Sequence, residues 1–130
     1  DDERLKATIA GDVLGRPSGF NAFARDAGAF IAVVSEPVKF PSWAGSKLRQ
    51  TDFRRMDLGL ACSHILLQAC DLGLGTCVLG WFDEKRLRTL LKVPASRKIE
   101  LLIAVGHTGG RDQPPRALKG REETLSFNSY

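Results

Sequence analysis

The sequence predicts a mixed fold of helices and strands, α+β or α/β, in one domain. Two observations carry that expectation. Hydrophobic spacing alternates between helical and strand periods in the order helix–strand–helix–strand–helix–strand, followed by a polar arm. The chain of 130 residues, 43% hydrophobic and 26% charged, is long enough for a single core and has the composition of a globular domain.

The elements follow in chain order. ERLKATIAGDVL (3–14) has a short helical pattern that Gly15, Arg16 and Pro17 end, and residues 16–28 read as loop. AFIAVVS (29–35) is a nearly continuous apolar run with β-branched members, a strand expected to be buried on both faces. EPVKFPSWAGSKLRQ (36–50) contains two prolines and reads as a long loop of the kind that often carries function. Thr51 and Asp52 are candidate caps for the longest helix, which runs to about Leu72. Phe53, Met56, Leu60, His64 and Leu67 line one stripe of it, and Leu58, Ala61, Ile65 and Ala69 another. A helix this apolar is expected to be buried on most sides. Gly59 and Ser63, four apart, allow close approach of another helix, within the chain or across a dimer interface.

TCVLGWF (76–82) is the second strand, and Asp83 caps the helix DEKRLRTLL (83–91), which Val93-Pro94 stops. KIELLIAVGH (98–107) is the third strand and GGRDQPPRALKGR (109–121) a polar arm. The tail EETLSFNSY carries two aromatics, which suggests that it docks.

Several function classes find no support. No apolar run reaches the roughly 18 residues of a membrane span, and no charged start leads into the apolar stretch of a signal peptide; the chain reads as cytoplasmic. A net charge of +4 is too small and too spread to argue for nucleic acid. Three cysteines without a Cys-x-x-Cys pair read as buried small hydrophobes in a reducing compartment. Cys62 and Cys70 lie about 12 Å apart along one helix, too far to bridge. His64 reads as a packed core histidine and His107 as a hydrogen bonder at a strand end. No metal-ligand spacing and no nucleophile elbow occur. With so little acid–base machinery, an enzyme built on this chain would rely on a cofactor, and no catalytic side chain is assigned.

LGLGTCVLGWF (72–82) is the most distinctive stretch. Its glycines at 73, 75 and 80 do not make a dinucleotide fingerprint, because the spacing is wrong and they follow a helix and precede a strand. Gly73 and Gly75 read as a helix C-cap, which leaves Gly80 unexplained. Arg111, Arg116, Lys119 and Arg121 could grip a phosphate, although without further context a solvated loop is the favoured reading.

Taken together, DLGLACSHILLQACDLGLGTCVLGWFDEKRLRTLLKVPASRKIELLIAVGH (57–107) and RALKGREETLSFNSY (116–130) resemble the C-terminal half of the FMN-dependent nitroreductase family. Residues 3–35 resemble it only as a helix, a loop and a buried strand. The resemblance implies an α+β fold with a mixed, mainly antiparallel sheet flanked by helices. It also implies a long central dimer helix, here the one with Gly59 and Ser63, and an extended C-terminal arm. It implies an intertwined homodimer with FMN at the interface, reduced by NAD(P)H through hydride transfer to N5. The electrons then pass to a nitroaromatic, quinone or similar acceptor. Backbone groups of Cys77, Val78, Leu79 and Gly80 are then expected beside the flavin ring, where N–H donors stabilise charge on reduction. Arg116 and Lys119 take the place of the family's phosphate cations, and Leu118 stands where many relatives have arginine. Phe40 and Trp43, in the 36–50 loop, are candidate substrate contacts.

The sequence departs from the family at its start. The Arg-x-Ser-x-Arg element is absent, and Pro17-Ser18-Gly19-Phe20-Asn21 is only a partial look-alike of the Pro-Ser-x-x-Asn-x-Gln-Pro loop. With Met56 as its only methionine, the chain reads as a single domain over 1–130 that is N-terminally incomplete. The alternative function is therefore a catalytically inactive homodimer of the same fold that binds a flavin or other ligand without turnover.

Overall fold

A computed structural model describes residues 2–14, 21–37, 53–110 and 117–128. Helix α1 (Glu3–Thr8) is capped by Asp2, whose carboxylate accepts from the Leu5 N–H at 3.0 Å, and it runs on as a wider π turn over Ile9–Val13. A 3-10 turn over Ala22–Asp26 leads into β1 (Ala29–Ser35). The long helix α2 (Phe53–Asp71), β2 (Gly75–Leu79), α3 (Glu84–Leu90), β3 (Lys98–Gly106) and the single-turn helix α4 (Arg121–Thr124) complete the order. The mixed, antiparallel-sheet fold expected from sequence is the one observed. The proposed caps Thr51 and Asp52, and residues 38–50 of the long loop, lie outside the described residues.

The three strands form one antiparallel sheet in the order β1-β3-β2. Alternation along each strand sorts the side chains onto two faces. Phe30, Ala32, Leu79, Leu102 and Ala104 share one face, which packs against Ile9, Val13 and Leu14 from the N-terminal segment and Leu87 from α3. Ile31, Val33, Leu101, Ile103 and Val78 share the other, which α2 covers. β3 lies between its neighbours, so its residues are the deepest: Leu102 and Ile103 are fully buried, one toward each face. Between Val33 and Val34 the register slips by one, because Val33 faces Leu101 while Val34 faces Ile99. Glu100 is the extra residue of this bulge.

Local chemistry explains the element ends. Gly73, at φ +71°, closes α2 as a Schellman cap: its N–H donates to the Cys70 carbonyl at 2.9 Å, and the Leu74 N–H to the Ala69 carbonyl at 2.8 Å. Asp83 caps α3 through its carboxylate, which accepts from the Arg86 N–H at 3.0 Å. Glu84 then joins α3 to the sheet, accepting from the Ile99 N–H at 3.3 Å while pairing with Arg88 one turn on.

Four expectations need correction. α2 is not buried on most sides: only Cys62 and Ala69 are buried in it. Its two apolar stripes lie on roughly opposite faces at about 100° per residue, and one sheet can cover only one of them. Phe53, Met56, Leu60 and Leu67 therefore stand exposed, and His64 with them is an exposed residue rather than a core histidine. Of the cysteines, Cys62 is buried and Cys70 and Cys77 are exposed, all three as free thiols. β1 is an edge strand, and Ile31 on it is partly open. Of the tail, Leu125 and Phe127 are exposed among the described residues, and Tyr130 lies outside them.

Because Leu102 is sealed from both neighbouring strands and packs into the larger core, Leu102→Ala should cost about 2–5 kcal/mol of stability. Urea unfolding followed by circular dichroism checks this; a loss under about 1 kcal/mol would show that the site collapses around the gap.

Candidate functional site

The distinctive glycine stretch occupies the exit of α2, all of β2 and the step into α3. Gly75 lies so close to Thr108 that a Cβ there would stand 2.7 Å from the threonine methyl, which explains the small residue. Cys77 and Val78 are exposed, while the Leu79 side chain is 2% exposed within the larger core. A Cβ built on Gly80 would meet nothing within 4 Å. Trp81 follows, its side chain 61% exposed.

Successive side chains of a strand point to opposite faces, so Cys77, Val78 and Leu79 cannot offer one side-chain surface to a planar ligand. Their common feature is the outer backbone edge. Among the described residues β2 has a strand neighbour on one side only, so part of its main-chain donors and acceptors face away from β3. This edge ends at the unobstructed Gly80. The sequence reading missed what holds this edge from behind. The buried Asn21 donates its side-chain amide to the Trp81 carbonyl, and the Asp83 N–H donates to the Val13 carbonyl at 3.1 Å. The partial motif ending at Asn21 was the only sequence signal for this contact.

The remaining predicted site residues are not gathered there by any described contact. Lys119 is exposed and has no ion-pair partner among the described residues. Arg116, Phe40 and Trp43 lie outside the described residues. His107 follows β3 as an exposed residue with no hydrogen bond among the described residues, so it is not the strand-end bonder expected. Among the described residues no cluster of histidine, cysteine and carboxylate could hold a metal ion, and no helix is long and apolar enough to cross a membrane.

Two cavities flank the sheet. One, of about 320 Å³, lies where the end of β1, the first turn of α2, α3 and the turn before β3 meet. Its charges largely answer one another: Arg97 pairs with Glu36 at 2.8 Å, Arg88 with Glu84, and Lys98 with Glu100 at 3.1 Å. The Glu100 carboxylate also accepts from the Ser35 hydroxyl at 2.8 Å. Burial by itself would raise the Glu100 pKa. Hydrogen bonds from Ser35 and Lys98, with the charges of Lys98 and Arg54, outweigh it and hold the carboxyl below its ordinary value. The other cavity, of about 460 Å³, is an apolar groove between Ile31 and Val105 of the sheet and Ile65, Ala69 and Leu72 of α2, with His64 and Gln68 as its polar lining.

The architecture defines a class: a small antiparallel sheet with a long helix across one face and a second helix and the N-terminal segment on the other. The sequence profile of the nitroreductase family matches residues 4–107, and the chain belongs to that family. Solved structures share the fold. An FMN-dependent nitroreductase from Clostridium difficile is 23% identical with a TM-score of 0.71, over 100% of this chain and 72% of that one. A nitroreductase family protein from Clostridium novyi is 24% identical with a TM-score of 0.62, over 82% and 57%. One from Streptococcus pneumoniae is 18% identical with a TM-score of 0.68, over 97% and 76%. This chain thus spans between 57% and 76% of the length of these three. A comparison with curated protein sequences finds no match.

Since the folded-state Glu100 pKa is depressed, its contribution to stability is present above the unfolded carboxylate pKa. It is lost as pH falls through the lower folded value. Glu100→Gln should therefore narrow its stability gap to wild type as pH drops from 7 through the acid range. A gap that stays constant with pH in parallel urea titrations would contradict this.

Proposed function

We propose that the protein is an FMN-dependent oxidoreductase that takes electrons from NAD(P)H and delivers them to a nitroaromatic, quinone or similar acceptor. The observation that carries this reading is the open edge of β2 ending at Gly80, in a chain of the nitroreductase family. FMN bound there would supply the electron-transfer chemistry. The chain's own part is to hold and orient it. Main-chain groups of Cys77, Val78, Leu79 and Gly80 would face the ring, Leu79 through its backbone alone because its side chain is committed to the core. Fixed N–H donors favour charge that develops on reduction without having to reorganise. Arg116 and Lys119 would hold the phosphate, and Phe40 and Trp43 would contact the acceptor. Free cysteines, two of them exposed, suit a reducing compartment, and the cytoplasm is the proposed location.

The reading includes a homodimer. The outer stripe of α2, with Met56, Leu60 and Leu67 all more than half exposed, is the natural seat for a second copy. The exposed Leu125 and Phe127 of the tail suit the same partner.

Two experiments test these statements. The visible spectrum of the purified protein is recorded with FMN, before and after anaerobic NADPH. A bound flavin band that bleaches is expected; a folded dimer that takes up no FMN, or binds it without bleaching, would shift the assignment to the non-catalytic alternative. Separately, Leu60→Glu should convert the dimer to a monomer in sedimentation while leaving the circular dichroism unchanged, because Leu60 is 62% exposed in its own chain. A wild-type protein that already sediments as a monomer would sink the dimer reading.

A further inference from the structure

Gly80 is the least restrained residue of the proposed flavin edge. It has no side chain, a Cβ at its position would have no neighbour within 4 Å, and glycine backbones sample far more conformations than others. Upstream the chain is anchored, because Leu79 pairs with Leu102 and buries its side chain to 2% exposure. Downstream the Trp81 side chain is 61% exposed. Its main chain is held instead by Asn21, which reaches sixty positions along the sequence to donate to the Trp81 carbonyl.

Asn21 suits this task. It is one of only two buried polar residues among the described core, and a buried amide that loses its acceptor is costly. It sits one residue before the 3-10 turn that carries the buried Ala24, so its own backbone rests on the core. Two residues beyond Trp81, the Val13–Asp83 bond secures the same connection from the same N-terminal segment. The Gly80–Trp81 step is thus held between the sheet on one side and Val13 and Asn21 on the other.

We propose that Asn21 is a positioning residue for the flavin edge, setting the orientation of the Gly80–Trp81 backbone through the Trp81 carbonyl without touching the flavin. This rests on the flavin reading above. Releasing the clamp leaves the Gly80 donor to be ordered at binding, and weakens it most where charge is greatest, on the reduced cofactor.

Asn21→Asp keeps the size but presents an ionised oxygen, which cannot donate, to a carbonyl. The expected result is FMN affinity about tenfold weaker, with reduced flavin losing about tenfold more than oxidised, a fall of ~30 mV in the two-electron midpoint potential. Faster amide exchange at Gly80 and Trp81 of the flavin-free protein should accompany it. If Asn21→Asp does not fold, Asn21→Ser, too short to reach the carbonyl and uncharged, carries the same measurements. A variant that binds FMN with wild-type affinity and potential, whatever its melting temperature, overturns the proposal and shows Asn21 to be a structural tie only. Wild-type protein that binds no FMN would instead remove the flavin reading, and this inference with it.

Discussion

The architecture depends on the double pairing of β3. This strand is bonded to β1 on one side and β2 on the other, and it is apolar toward both faces. A strand in that position needs cover on two sides, and the chain supplies two different covers. The N-terminal helix and α3 close one face, and α2 closes the other. The connections follow from this. α2 joins β1 to β2 across one face, α3 joins β2 to β3 across the opposite one, and β3 enters between strands that precede it in the chain. The slip at Glu100 is accommodated at the end of the sheet, where Ser35 and Lys98 can satisfy the displaced carboxylate.

α2 shows how one sequence pattern can serve two surfaces. Its inner stripe packs on the sheet with small residues at the closest points, Cys62 and Ala69. Its outer stripe is as apolar and carries larger side chains, which stand half or more exposed among the described residues. In the proposed homodimer, burying these side chains would contribute on the order of 1.5–3 kcal/mol each.

At the other end of α2, the glycine stretch performs several separate tasks in a few residues. Gly73 ends the helix in a left-handed turn, Gly75 clears Thr108, and Gly80 leaves the end of β2 unobstructed. A small residue is required at the first for conformation, at the second for contact, and at the third in the proposed function for approach by a ligand. The stretch therefore looks like a glycine-rich phosphate loop in composition while obeying quite different geometry.

Much of this was written locally and could be read from the sequence. The three apolar runs fall on the three strands, with β1 identical in its bounds, and the Asp83 cap and the Gly73 turn appear where short-range chemistry placed them. The family resemblance over 57–107 lies inside the span that the family profile matches. What the sequence could not decide were matters of distance across the fold. Periodicity shows that α2 is apolar on two sides but cannot say which side meets a sheet of the same chain, so His64 and Cys70 were expected inside and stand outside. The order β1-β3-β2 arises from long-range pairing that no local window encodes. The Asn21–Trp81 contact likewise joins residues sixty apart. A lone asparagine beside a proline-serine pair reads as part of a loop motif, and only tertiary packing, by burying its amide against one particular carbonyl, gives it a partner.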